Sequence, residues 1–298
     1  MERDGTSMER RIDADDASQT PAGAVHLPRR IRFLGHASVL IDLDETRIVT
    51  DPLLRPRVSA LYWRHPSPHS SVSHPVDAVV ISHMHQDHLD VKSLRLLGHD
   101  TPLLVPRRAG PFLARRGFTR PTEMLPGDIA DVYSGDGVGA VRVIATPARH
   151  TGFRPPFGPL GGCLGFIVEG SLRVYFAGDT DIFPEMADLG PIDVALLPVA
   201  GWGPTLGPGH MDARVAALAL QLIRPRIAIP IHWGTFAPVG MHLRSWAYLE
   251  KPPLHFKEHA SVLAPDVDVR ILEPGESLSL DADREPSPPA LTVDGAPL

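Results

Sequence analysis

The sequence predicts an α+β chain, two sheets packed as a sandwich with helices outside. Three observations lead there: short β-rich runs recur through both halves, helical patterns interleave with them, and 43% of the 298 residues are hydrophobic against 21% charged. That apolar content is ample for one large core or two small ones. No repeat of fixed period and no second-domain boundary is visible.

Taken in order, the strand candidates are IRFLG (31–35), SVLIDL (38–43), RIVT (47–50), AVVIS (78–82) and PLLVP (102–106) in the first half. The second half adds VRVIAT (141–146), CLGFIVEG (163–170), LRVYFAG (172–178), DVALLPV (193–199), IAIPI (227–231) and VRIL (269–272). A helix is expected over 90–98, with Asp90 as N-cap and Gly98 as its stop. Another is expected over 107–117, interrupted by Pro111, and a third over 211–224, with Asp212 near its start and apolar residues at helical spacing. A fourth is expected over 241–253, ending before Pro252. Residues 1–25 are polar and patternless and 281–298 are proline-rich, so both read as flexible tails around one domain over 26–280.

Composition narrows function by exclusion. A net charge of −6 argues against a dedicated nucleic-acid binder, although a local basic groove would not show in a sum. The single cysteine, Cys163, allows no intrachain disulfide and no cysteine-based zinc site, and it reads as a buried structural thiol. No run approaches the ~20 apolar residues of a membrane span, and the charged N-terminus lacks a signal-peptide core. The expected location is the cytoplasm. A homo-oligomer interface is not distinguishable from a substrate lip by composition.

The stretch VVISHMHQDHLD (79–90) sets three histidines and an aspartate directly after a β-run. Residues two apart in extended chain point to one side, so His83 and His85 can chelate one ion, while Asp87 and His88 can face a second. A solvated polar loop would not explain why three distant stretches share this form. VRVIATPARH ends at His150, LRVYFAGDTD carries Asp179, and IAIPIHWGTF carries His232, each a β-run ending in a candidate ligand. Imidazole with carboxylate suits Zn, Mn or Fe, with Zn the default, whereas an all-oxygen set would suit Mg or Ca.

The order H-x-H-x-D-H, a lone His, a Gly-Asp and a lone His resembles the metallo-β-lactamase superfamily over roughly residues 30 to 275. The resemblance implies a four-layer αββα sandwich holding two divalent metal ions. It implies that His83, His85 and His150 bind the first ion, that Asp87, His88 and His232 bind the second, and that Asp179 bridges. FLGHASVLIDLDETRIVTDPLL, PARH, FAGDTD, GHMDA and IHWGTF look like the branch with N-acyl-phosphatidylethanolamine phospholipase D and ascorbate-6-phosphate lactonase. HWGTF and HMD lean toward the phospholipase-D side, but the eukaryotic enzyme's membrane-binding features are not identifiable here.

Other residues carry two readings each. Asp51, before Pro52, either accepts a hydrogen bond from behind a ligand histidine or merely forms a turn. His36 either faces the metals or is a hydrogen-bonded hairpin histidine. In the resembled branch the position of His210 assists the leaving group or binds substrate; the plain alternative is an exposed helix-start histidine. The segments 59–69 and 151–162, with Tyr62, Trp63 and Phe153, and the loop with Trp202 are substrate-lip candidates or else packed surface loops.

Two such ions, roughly 3.5–4 Å apart, can share a bridging hydroxide and polarise the electrophile, so no Ser or Cys nucleophile is required. The chain consistently lacks a G-x-S-x-G elbow. Asp87 can orient the water and His210 can protonate the departing oxygen. The expected substrate is a small-molecule or lipid-like ester, first a phosphodiester, second a lactone or related ester. An iron-dependent redox protein on the same fold is the alternative from another class, and a binding protein without turnover is the plainest one. Nuclease action has neither an RNA-binding domain nor a basic aromatic patch behind it.

Overall fold

A computed structural model describes residues 27–59, 61–64, 72, 75–154, 158–201, 206–238 and 247–281. Apart from Asp281, both expected tails lie outside these residues. The first half supplies β1 (Arg30–Gly35), β2 (Ser38–Leu43), β3 (Thr46–Thr50), β4 (Arg57–Val58), β5 (Leu61–Trp63) and β6 (Ala78–Val80). After β6 come α1 (Val91–Leu97), β7 (Leu103–Pro106), α2 (Ala109–Ala114) and β8 (Pro121–Met124). The second half supplies β9 (Ile129–Tyr133), β10 (Ala140–Pro147), β11 (Leu164–Glu169), β12 (Arg173–Phe176), a short 3-10 helix (Pro184–Asp188) and β13 (Val194–Pro198). It ends with α3 (Ala213–Ile223), β14 (Ile227–Ile231), β15 (Phe236–Pro238), α4 (Ala247–Glu250), α5 (Pro252–Leu263), β16 (Asp268–Val269) and β17 (Ser277–Ser279).

Two seven-stranded sheets result, in the orders β17-β1-β2-β3-β6-β7-β8 and β16-β14-β13-β12-β11-β10-β9, with a small β15-β5-β4 sheet beside them. Alternation along the strands builds the layers. On β6, Ala78 and Val80 enter the core shared with Phe166, Phe176 and Leu196 of the second sheet. Val79 between them, with Ile81 just beyond, packs instead on Leu94 of α1 and Leu113 of α2. Successive side chains on a strand point to opposite faces, so each sheet needs cover on both. The outer face of the second sheet is covered by α3 and α5, whose Ala216, Leu220, Phe256 and Ala260 are fully buried. The order is therefore helix, sheet, sheet, helix, the expected αββα sandwich.

The helix starts follow their caps. Asp90 accepts from the Ser93 amide at 2.9 Å and Asp212 from the Val215 amide at 2.8 Å, each satisfying an amide with no partner inside the helix. The expected helix over 241–253 is corrected. Residues 241–246 lie outside the described set, α4 covers four residues, and a twelve-residue helix, α5, opens at Pro252, where the expectation ended one. A proline at the first helical position loses no hydrogen bond and presets φ, so a Pro-Pro pair starts this helix. Pro111 lies within the first turn of α2 for the same reason. The edge strands β8, β9 and β17 are additions, too short or too polar to show as β-runs.

The register collects the ends that matter. β3, β6 and β7 run parallel, as do β12, β13 and β14, and β10 shares the direction of β12 because each is antiparallel to β11. The carboxyl ends of β3, β6, β10, β12 and β14 carry Asp51, the 83–88 segment, His150, Asp179 and His232 respectively.

Candidate metal centre

At these carboxyl ends the side chains converge. His83, His85 and His150 place candidate ligand atoms within 4.8 Å of one another, and so do His36, Asp87, His88 and His232. Asp179 lies between the groups. Its Oδ2 is 3.1 Å from His88 Nε2 and 3.9 Å from His83 Nε2, and its Oδ1 is 3.3 Å from His232 Nε2. His210 closes the rim, Nε2 3.6 Å from Asp179 Oδ2 and its ring 4.5 Å from that of His150.

The hydrogen bonds behind the rings decide which nitrogen faces inward. Nδ1–H of His150 donates to the Gly209 carbonyl at 2.8 Å and Nδ1–H of His232 to the Ala200 carbonyl at 2.7 Å. Nδ1–H of His88 donates to Asp51 Oδ2 at 2.7 Å. Ser82 Oγ donates to that same Asp51 oxygen, so it accepts from Nδ1–H of His83 at 2.9 Å. A neutral imidazole with Nδ1 protonated keeps its lone pair on Nε2. Four rings thus turn Nε2 toward one small volume, and on His83, His150 and His232 that nitrogen carries a lone pair.

The resulting crowding fits a cation. His232 Nε2 and His88 Nε2 are 3.3 Å apart, as are His85 Nδ1 and His150 Nε2. Nε2 of His83 and Oδ1 of Asp179 are buried and without a hydrogen-bond partner. An unsatisfied buried polar atom costs about 1–3 kcal/mol. Inward-facing imidazole and carboxylate lone pairs are what a borderline divalent ion such as Zn, Mn or Fe takes.

Without an ion, the charge states divide the rings. Burial lowers the His83, His85, His150 and His232 rings, His85 to about 4 and His232 to about 3, so they are neutral near pH 7. Burial opposes ionisation of Asp87 and Asp179, but the surrounding imidazoles outweigh it and hold both well below the usual carboxylate range. Burial also opposes protonation of His88, yet Asp179, Asp87 and Asp51 outweigh it and raise that ring. For His210 the Asp179 contact likewise overcomes burial and raises it.

Backbone strain concentrates here. His36, Asp51 and His232 have φ of 57°, 32° and 64°, a region side-chain-bearing residues seldom occupy. Gly178, before Asp179, has φ 61°, and a Cβ there would lie 2.5 Å from Ser82 Cβ. The FAGDTD turn can reach the site only with glycine at that position.

Asp51 and His36 both lie against this cluster. Asp51 is fully buried behind His88, and its Oδ1 accepts from the Ser82 amide at 2.7 Å. His36 sets Nε2 3.1 Å from Asp87 Oδ2, and its ring lies tilted against that of His232 at 4.0 Å between centroids. Among the lip candidates, Trp63 is corrected: it is 6% exposed, its ring edge-on to Phe236 at 4.8 Å and tight against Gly35. The β15-β5 pairing turns it into the interior of the small sheet. Its neighbour Tyr62 is half-buried. Phe153 and Leu160 are exposed and pair across a hairpin following His150. Trp202 lies outside the described residues. Sequence reasoning missed Ser82, whose only signal was its place between β6 and the first ligand, and Arg154, which had none.

Known proteins resemble this chain in sequence and fold. A family model described as beta-lactamase superfamily domain matches residues 46–233. A UPF0173 metal-dependent hydrolase of Methanopyrus kandleri is 33% identical over 257 residues, covering 83% of this chain and 98% of that protein. Another, of Opitutus terrae, is 31% identical and covers 84% and 100%. Among solved structures, Igni18, a metallo hydrolase from Ignicoccus hospitalis, superposes with a TM-score of 0.65 at 25% identity, covering 85% of this chain and 98% of that one. CmlA, a diiron beta-hydroxylase from Streptomyces venezuelae, shares the fold at 18% identity with a TM-score of 0.60, covering 84% of this chain and 54% of that one.

Proposed function

This chain belongs to the beta-lactamase superfamily, and on that premise we propose that it is a metal-dependent hydrolase acting on a phosphodiester through a two-ion centre. The observation that carries the reading is the pair of ligand groups sharing Asp179, with imidazole nitrogens facing one another at 3.3 Å. His83, His85 and His150 would hold one ion, Asp87, His88 and His232 the other, and Asp179 both. Zinc is the default occupant of such a donor set. Bound divalent ions would activate a water for attack and stabilise charge developing on the phosphoryl oxygens.

The chain's own groups supply the rest. Asp87, held by His36 Nε2 and ionised, accepts a hydrogen bond from the attacking water and orients it. Water adds to phosphorus with one of its protons released to solvent, the bond to the ester oxygen breaks, Nε2–H of protonated His210 gives that oxygen its proton, and His210 regains one from solvent. His210 suits the task because its side chain is 22% exposed at the rim while Gly207 O fixes Nδ1 at 3.0 Å. Phe153 and Leu160 on the neighbouring hairpin offer apolar contact to the substrate's organic portion.

Elemental analysis combined with hydrolysis of bis(p-nitrophenyl) phosphate tests this. Two ions per chain, with metal-dependent turnover abolished in Asp179→Ala, are expected. Two ions with turnover of lactones but no phosphodiester would replace the substrate class and keep the centre. Iron with no hydrolysis would move the reading to redox chemistry, and a metal-free protein would end it.

A further inference from the structure

Arg154 is half-buried, its guanidinium against the 83–90 segment, and it makes no ion pair among the described residues. Its Nη1 donates to the Met84 carbonyl at 2.7 Å and the Leu89 carbonyl at 2.9 Å, and it reaches the His85 carbonyl at 3.5 Å. These carbonyls flank the single turn that holds His85, Asp87 and His88, closed by the Leu89 amide on the His85 carbonyl at 2.8 Å. The Phe112 ring lies 4.9 Å from the guanidinium carbon. Arg154 itself stands in the exposed hairpin of Phe153 and Leu160, its backbone amide on the Pro159 carbonyl at 3.2 Å. The same hairpin presses on the turn a second time: a Cβ on Gly161 would come 2.8 Å from Met84 Sδ.

From this geometry we propose that Arg154 is a positioning residue: it fastens the substrate-lip hairpin to the ligand turn and fixes the placement of His85, Asp87 and His88. The inference rests on the two-ion reading. Its physical sense lies in two opposing effects. A cation this near the centre repels a divalent ion, so charge alone would make its removal strengthen metal binding. Carbonyls gathered by one guanidinium nitrogen, Nη1, hold the turn in a single shape, so its loss would weaken binding. The proposal states that the second effect wins.

The test uses the full-length protein stripped of metal and titrated with cobalt(II) and, in chelator competition, zinc, well below the melting temperature. Arg154→Ala is expected to lower affinity by about 10- to 100-fold, to alter the cobalt d–d spectrum, and to recover part of both when guanidinium ion is added at millimolar concentration. Arg154→Lys retains the charge on a shorter side chain whose ammonium does not reach the position of Nη1 and is expected to fall between; it also serves if the alanine variant does not fold. Unchanged or tighter zinc binding in both variants would overturn the proposal while leaving the two-ion reading intact. Wild-type protein that binds neither metal would overturn both.

Discussion

Replacing Asp51 by asparagine changes almost nothing in volume and suits the left-handed backbone, φ 32°, which asparagine tolerates. It changes the hydrogen-bond arithmetic. Both Asp51 oxygens are acceptors, Oδ1 from the Ser82 amide at 2.7 Å and Oδ2 from His88 Nδ1 at 2.7 Å and from Ser82 Oγ. An asparagine has one oxygen, so one of the two faces must become an NH2 group set against a donor. If the oxygen stays on the Ser82 amide, the NH2 meets His88 Nδ1. The ring then relieves the clash by giving up its Nδ1 proton and keeping one on Nε2, the nitrogen that faces the centre. A ring in that tautomer presents no lone pair to an ion. Losing a hydrogen bond to a charged group costs about 1.5–3 kcal/mol, which is roughly 10- to 150-fold in binding. Zinc affinity measured by chelator competition should therefore fall by one to two orders of magnitude, while the folded far-UV spectrum is kept. Nitrogen shifts of labelled histidine in the metal-free variant should report the proton on Nε2 of His88. Affinity within about threefold of wild type, with Nδ1 still protonated, would refute the reasoning.

Further outcomes are expected. His210→Gln should lower kcat by about 10²- to 10⁴-fold, the range of a lost proton donor, with metal content unchanged by elemental analysis; loss of an ion would make His210 a ligand instead. The metal-free protein should lose stability as pH falls below the ordinary histidine value of 6.5, because the unfolded rings then gain protons that the folded His83, His85, His150 and His232 rings refuse. The raised rings of His88 and His210 act the other way above pH 6.5, where they hold a proton only in the folded state, but two such rings do not outweigh four. Urea midpoints in chelator at pH 7.5 and 5.0 check the sign, and equal midpoints would contradict it. Changing Phe153 and Leu160 together to serine should raise KM several-fold for an aryl phosphodiester and leave kcat and metal affinity alone, which steady-state kinetics would show.

The layers were readable because burial writes itself into sequence. β6 and β7 read as continuous apolar runs since both their faces are covered, and α3 showed its cap and its stripe. The β8, β9 and β17 edges were not readable, because a strand with one exposed side can carry polar residues such as those of PTEM and SLS. Pro252 misled because proline stops a helix from within yet starts one at its first position, and local sequence does not say which.

The ligand set was legible for a different reason. Imidazoles and carboxylates at strand ends are chemically costly to place without a purpose, and their order along the chain survives as a pattern. Their support was not legible. The Ala200 and Gly209 carbonyls that fix two tautomers are backbone groups every residue possesses, and Nη1 of Arg154 acts on a turn 65 to 70 residues away. Trp63 showed the converse, an aromatic residue read as a lip that pairing with β15 turned inward. Sequence by itself determined which side chains can bind and which faces must be buried, since both are properties of residue type and spacing. Only the tertiary structure decided which nitrogen each histidine offers and what holds it there, since those depend on atoms brought together from distant parts of the chain.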